Sequence, residues 1–250
     1  MILPTDFLIE WGIIHYTVVK EFKSKKNDVR MLKVTTNTGN SYTLVYKYFA
    51  NRFSYQREIK IMTKLQEMGA PVPKLIYSSK QIIITQYIEG PLLVNELFKH
   101  GHDILEADLL GDTLEKIYVE LANIKTVVKP SQCAQKPQLQ EGQMILGDMN
   151  LRNFILNRED VRIYRIDFES VGYGSLSQDL GKLCAFCITY DPPFTDEKIR
   201  LTKRLFNSLL DRFFMLKSEV KNEIFLELSQ ISKRRKIDLP SLVIKEINNW

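Results

Sequence analysis

The residues best suited to chemistry lie in Leu146-Gly147-Asp148-Met149-Asn150-Leu151-Arg152-Asn153-Phe154-Ile155-Leu156 and, after a short gap, Tyr164-Arg165-Ile166-Asp167-Phe168-Glu169. The pattern is G-D-x4-N, three hydrophobic residues, a short hairpin, then I-D-F. Asp148, Asn153 and Asp167 are two carboxylates and an amide, all hard oxygen donors. Phosphoryl transfer needs such a set: a carboxylate near the attacking hydroxyl and oxygen ligands on a magnesium ion that bridges the phosphates. Taken singly, Asp148 and Asn153 also read as turn residues that bond their own backbone, and Asp167 as a strand-end turn acid.

A cation and a carboxylate in the first half belong beside this set. Residues 13–49 are rich in Val, Ile, Tyr, Thr and Phe, broken at Lys25-Lys26-Asn27-Asp28 and at Asn37-Thr38-Gly39-Asn40, which predicts three antiparallel strands. In the third strand Val45, Lys47 and Phe49 share one face by the two-residue period, so Lys47 stands among apolar neighbours and calls for an anionic partner. Phe53 to Met68 has helical spacing and stops at Gly69, with Pro71 and Pro73 beyond. Along one face lie Glu58, Ile61, Leu65 and Met68. Burying Glu58 there is costly without a cation, and Lys47 is the obvious one.

Residues 75–77 and 81–88 read as two further strands, and Glu89-Gly90-Pro91 breaks the pattern, so a domain boundary is expected there, giving domains of residues 1–89 and 90–250. A helix is expected over 103–126 through Leu105, Leu109, Ile117 and Leu121, then a Pro/Gln-rich loop over 130–142. Short strands follow around 154–157 and 161–166. From about Gln178 the spacing is helical to the end, with breaks at Pro192-Pro193 and near Pro240.

Composition narrows the classes. With 250 residues, 44% of them hydrophobic, the chain can bury a full core, which excludes a disordered protein. Three cysteines do not make a disulfide scaffold, and the cytosol is the expected compartment. The longest stretch free of charged residues, Val34 to Tyr46, is short of a membrane span and rich in Thr and Asn. No membrane partner is expected. Asp6 and Glu10 interrupt the first apolar run, which argues against a secretory signal. Residues 1–89 hold 13 Lys and Arg against 7 Asp and Glu, whereas 90–250 hold 22 against 23. A basic first half beside a near-neutral second suits a phosphate-rich ligand held mostly by the first.

The ordered set of Lys47, Glu58, G-D-x4-N and I-D-F-E, with Gly172 and Asp179-Leu180-Gly181 after it, resembles the protein-kinase-like superfamily, and within it the aminoglycoside phosphotransferase and choline kinase branch. The resemblance runs over roughly residues 13–190. It implies an α+β, bilobal protein-kinase-like fold, with an antiparallel-sheet N-lobe carrying one main helix and a mainly helical C-lobe. It also implies transfer of the γ-phosphate of ATP, or of GTP, to a hydroxyl of a small molecule. Asp148 matches the catalytic carboxylate, and Asn153 and Asp167 match the ligands of Mg2+. Lys47 matches the lysine that grips the nucleotide phosphates, and Glu58 the glutamate that holds it. In Thr85-Gln86-Tyr87-Ile88-Glu89-Gly90, the Gln86 carbonyl and Ile88 amide match the groups that meet the adenine edge. Asp179 matches an aspartate that braces the catalytic loop.

Three departures from the family pattern stand out. Lys23-Ser24-Lys25-Lys26-Asn27-Asp28 occupies the place of a glycine-rich loop, Leu146 stands where the family usually has histidine, and the interval from Asp167 to Asp179 leaves no room for a long activation loop. The last disfavours a regulated protein kinase. A small protein kinase of the Bud32 or RIO type and a pseudokinase binding module are the alternatives. Cys184 and Cys187 read as core of a helix, and His100, His102 and His15 carry no role. Lys233-Arg234-Arg235-Lys236 reads as a solvated helix end without the aromatics that nucleic-acid binding would interleave, so no nucleic acid is expected. Leu205, Leu209, Phe213 and Leu216 form a core stripe.

Overall fold

The structure, a computed structural model, describes residues 3–98, 104–123 and 142–250. His100, His102, the ends of the expected 103–126 helix and nearly all of the expected 130–142 loop lie outside the described residues. The chain divides into two compact units, residues 1–89 with 167–169 and residues 90–166 with 170–250. The architecture is the expected α+β one, an antiparallel sheet with one main helix in the first unit and mainly helices in the second.

The first unit begins with a short helix, α1 (Thr5–Glu10), and continues through β1 (Ile13–Phe22), β2 (Asn27–Thr36), β3 (Ser41–Phe49), α2 (Arg52–Glu67), β4 (Leu75–Ser79) and β5 (Ile82–Gln86). Among the described residues these strands make one antiparallel sheet in the order β1-β2-β3-β5-β4. Alternation divides β3 between two surfaces. Leu44 and Tyr46 join Leu32, Val34, Ile84, Leu3 and Phe7 in a buried cluster under α1. Lys47, Phe49 and Ile83, the residue opposite Lys47, belong to the other face, where Ile61, Met62 and Leu65 of α2 are also buried. Asn51 starts α2 by accepting the Phe53 and Ser54 amides at 2.8 and 3.1 Å. Met68, expected on the buried stripe, is the residue after the helix and is 39% exposed. The last expected strand ends at Gln86 rather than 88, its final tie to β3 being the Tyr87 amide on the Thr43 carbonyl at 3.3 Å.

The second unit contains α3 (Leu93–Leu97), α4 (Ile104–Asn123), β6 (Gln143–Ile145), a 3-10 turn at Leu151–Asn153, β7 (Phe154–Asn157), β8 (Arg162–Arg165) and β9 (Gly172–Gly174). Helices α5 (Leu176–Thr189), α6 (Asp196–Phe213), α7 (Lys217–Arg235) and α8 (Ser241–Asn248) complete it. β7 pairs with β8, and β6 with β9, both antiparallel. Helix α5 is the centre: Leu183, Cys184, Ala185, Cys187 and Ile188 are all buried. It packs so tightly on α7 that a Cβ at Gly181 would stand 2.4 Å from the Glu223 Cβ. Leu205 and Leu209 are core as expected, but α6 ends where Phe214 adopts a φ of 51°, which throws Leu216 out of the stripe to 64% exposure. Among the described residues no helix is long and apolar enough to cross a membrane.

Candidate active site

Strand β3 and helix α2 bring Lys47 and Glu58 together. The lysine Nζ donates to Glu58 Oε2 at 2.8 Å and Oε1 at 3.0 Å, and to Asp167 Oδ1 at 3.2 Å. It also lies 4.5 Å from the centre of the Phe49 ring, a cation–π contact with the residue two along the same face. Glu58 is only 5% exposed. Burial pushes its carboxyl up to about 7, against the pull of Lys47. Burial also opposes the charge on Lys47, but the two carboxylates outweigh it and its pKa is raised.

Asp167, expected among residues 90–250, therefore sits in the first unit with Phe168 and Glu169. The ion pair to Lys47 and a hydrogen bond from the Phe168 backbone to Glu58 hold this segment there. Asp167 has a φ of 67°, a left-handed conformation that aspartate tolerates better than most residues and that costs on the order of 1 kcal/mol.

Asp148 and Asn153 lie on one turn of the second unit. Asp148 Oδ1 accepts the Asn150 amide at 3.1 Å, and Asn150 Oδ1 accepts the Arg152 amide at 3.0 Å, so two successive side chains shape the backbone. The Asn153 amide closes the 3-10 turn on the Asn150 carbonyl at 2.9 Å. The Ile166 amide then bonds the Asn153 carbonyl at 2.9 Å, and Asp167 is the next residue in the chain.

Four further side chains grip this turn. Asp179 of α5 accepts the Leu146 and Gly147 amides at 2.6 and 2.9 Å and the Tyr118 hydroxyl at 2.6 Å. Lys182 donates to the Gly147 carbonyl at 2.9 Å. The Tyr190 hydroxyl accepts the Leu151 amide at 2.7 Å and bonds Asn150 Oδ1 at 2.8 Å. Arg165 reaches the carbonyls of Asp148 at 2.7 Å and Asn153 at 3.3 Å, with its guanidinium 4.9 Å from the Phe154 ring centre. Gly147 has a φ of 76°, and a Cβ there would fall 2.3 Å from the Ser170 carbonyl oxygen, so only glycine fits before Asp148.

Among these, sequence reasoning singled out Asp179 alone. Arg165 was within reach of it: Arg165 and Ile163 share a face of β8 by the same two-residue period that singles out Lys47, and both are fully buried. Tyr118, Tyr190 and Lys182 carry no local signal. Leu146 is itself fully buried, and its amide on Asp179 holds the turn without the expected histidine.

Gln86 is exposed at the end of β5, its amide bonded to the Lys74 carbonyl at 2.9 Å, and Ile88 beyond it is 5% exposed. They lie on the strand exit downstream of Ile83, which faces Lys47 across the ladder. The donors available for a metal are a carboxylate and an amide, both hard oxygens. Among the described residues no three His, Cys, Asp or Glu side chains form a metal-sized group. The Asp167 carboxylate and the Asn153 amide oxygen are each of the hard type taken by an ion such as Mg2+, which uses one or two protein ligands and completes its shell from phosphates and water.

No curated protein matches the sequence. The model of the phosphotransferase enzyme family matches residues 111–209, the stretch that contains the Asp148 turn, Asp167 and Asp179. Among solved structures, amicoumacin kinase in complex with AMP-PNP, Ca2+ and its ligand is similar over 99% of this chain and 92% of its own, with a TM-score of 0.64 at 13% identity. An aminoglycoside-3'-phosphotransferase of type VIII is similar over 87% of this chain and 92% of its own, with a TM-score of 0.54 at 14% identity. The chain thus has the fold of these kinases, and its residues 111–209 match the model of the phosphotransferase enzyme family.

Proposed function

We propose that this chain is an ATP-dependent phosphotransferase that moves the γ-phosphate to a hydroxyl of a small molecule. The observation that carries the reading is the contact of Lys47 with both Glu58 and Asp167. A half-buried ammonium aligned by one acid and touching a second, partly exposed one is a phosphate-gripping arrangement. The family match supports phosphoryl transfer, and the likeness to a kinase solved with AMP-PNP and Ca2+ supports a nucleotide with a divalent metal.

In this reading Asp148 orients the acceptor hydroxyl and takes its proton as the oxygen bonds the γ-phosphorus and the bond to the departing ADP breaks. Asp167 and Asn153 would hold Mg2+, which supplies positive charge against the phosphate oxygens when bound. Lys47 neutralises the phosphates, and Glu58 keeps its ammonium in place. The Gln86 carbonyl and Ile88 amide would receive the adenine edge, with Thr85 at the back of the pocket.

The test is magnesium-dependent thermal stabilisation by ATP and by GTP, in wild type and in Asp167→Ala. Ligand at a hundred times its Kd should stabilise by about 2.7 kcal/mol, and the variant should lose most of that shift. Asp148→Ala should bind ATP like wild type yet lose about 10²- to 10⁴-fold in turnover against the hydroxyl acceptor. Full activity in Asp148→Ala would overturn this mechanism. A nucleotide-dependent mass gain on the protein itself would favour the protein-kinase alternative, and no nucleotide shift at all the pseudokinase.

A further inference from the structure

The tip between β1 and β2 is tied to the Asp167 segment by a single acid that the mechanism above leaves unused. Glu169 Oε1 lies 3.2 Å from Lys26 Nζ, and Oε2 lies 3.2 Å from Asn27 Nδ2. Its carbonyl accepts from Arg57 at 3.0 Å, and its amide lies 3.4 Å from Asp167 Oδ1. All of these residues belong to the first unit. Both oxygens of one carboxylate are thus given to neighbouring residues of the tip, while the backbone of Glu169 is anchored to α2 and to Asp167.

The tip's own backbone bonds are turned inward. Ser24 Oγ accepts the Asn27 amide at 3.1 Å and the Lys26 amide at 3.4 Å. A glycine-rich turn would offer such amides to a phosphate; here they serve the hydroxyl, and the tip offers side-chain charge instead. The side chain of Lys26 is 73% exposed and that of Glu169 is 12% exposed. An ammonium has three donors, and a single contact with Glu169 leaves it able to meet a second anion.

We infer that Glu169 is a positioning residue for the nucleotide phosphates: it holds Lys26 and the β1–β2 tip beside Asp167, doing through a carboxylate what a glycine-rich turn does through its amides. The inference rests on the phosphotransferase reading and names a residue and a device that reading does not contain. Lys26 touches the phosphates, and Glu169 acts through Lys26 and Asn27.

Two measurements test it. Without nucleotide, hydrogen exchange over residues 22–28 should quicken several-fold in Glu169→Ala and in Lys26→Ala. For Mg-ATP, each variant should raise Kd about five-fold, the size of one partly exposed charge-assisted contact, and the double variant should be no weaker than the worse single. KM should rise while kcat stays within about two-fold, a split that a general loss of folding does not produce. Lys26 is exposed, so Lys26→Ala keeps the test open should Glu169→Ala fold poorly. Unchanged exchange, wild-type ATP affinity in either variant, or losses that multiply in the double variant would overturn the inference. Wild type that takes no nucleotide would overturn the phosphotransferase reading and this inference with it, whereas wild-type binding with unaffected variants overturns the inference alone.

Discussion

Glu58 and Asp179 are both helix-borne acids with almost no exposed surface, and these two acids are held differently. In the first unit the partner is a cation: Lys47 gives Glu58 two bonds and Asp167 a third. In the second the partners are neutral donors, two backbone amides and a tyrosine hydroxyl. Burial raises the pKa of both acids, while Lys47 in one case, and Tyr118 with the Leu146 and Gly147 amides in the other, oppose it. An acid held by a flexible ammonium leaves that ammonium able to exchange partners when an anion arrives. An acid held by consecutive amides fixes the path of the chain. The first arrangement suits a group that must meet a ligand, the second a turn that must not move.

The sharpest way to break this contrast is to remove the acid that fixes a chain path. Asp179→Ala leaves the buried Leu146 amide and the part-buried Gly147 amide without their acceptor, and the Tyr118 hydroxyl with only Met149 Sδ at 3.7 Å, and should cost about 3 kcal/mol in urea unfolding. A loss under about 1 kcal/mol would show that Asp179 does not hold the turn.

Glu58 should show its cost through pH. Its folded pKa of about 7 lies above the ordinary 4.5, so the folded state binds the extra proton. Its contribution to stability is therefore fully present below about pH 4.5 and is lost as pH rises through 7. Unfolding free energy measured across that window should fall less steeply in Glu58→Gln than in wild type. Identical slopes would mean that Lys47 keeps Glu58 ionised throughout.

The smallest effect sharpens the neutral side of the comparison. Tyr118→Phe removes one of the three donors to Asp179 and leaves both amides, so it should cost about 1 kcal/mol while the Asp148 turn stays ordered. Amide exchange at residues 146–148 would report that order directly, and rapid exchange there would assign the hold on the turn to Tyr118 rather than to the backbone amides.

Much of the fold was legible because its signals are local. Alternation in β3 places Lys47 among apolar neighbours whatever lies beyond the strand, and the 58, 61, 65 spacing puts Glu58 on the buried face of α2. Short or unpunctuated features were not legible. Helix α1 is six residues long and carries Asp6 and Glu10 within its apolar run; β6 and β9 span three residues each, too few to show a period. The break after α6 depends on Phe214 in a left-handed conformation, with no proline or glycine to announce it.

Within the candidate site the division follows the range of the forces. Residue types and spacing alone determined that Lys47 needs an anion, that Glu58 needs a cation, and that Asp148 and Asn153 share a turn. Each of those follows from a backbone period or a turn spanning a few residues. Tertiary structure alone decided that Asp167 joins Lys47 across 120 positions of chain, that Arg165 and Tyr190 hold the Asp148 turn, and that Glu169 ties down the β1–β2 tip. Those partners are chosen by the packing of distant elements, which a run of neighbouring residues does not encode.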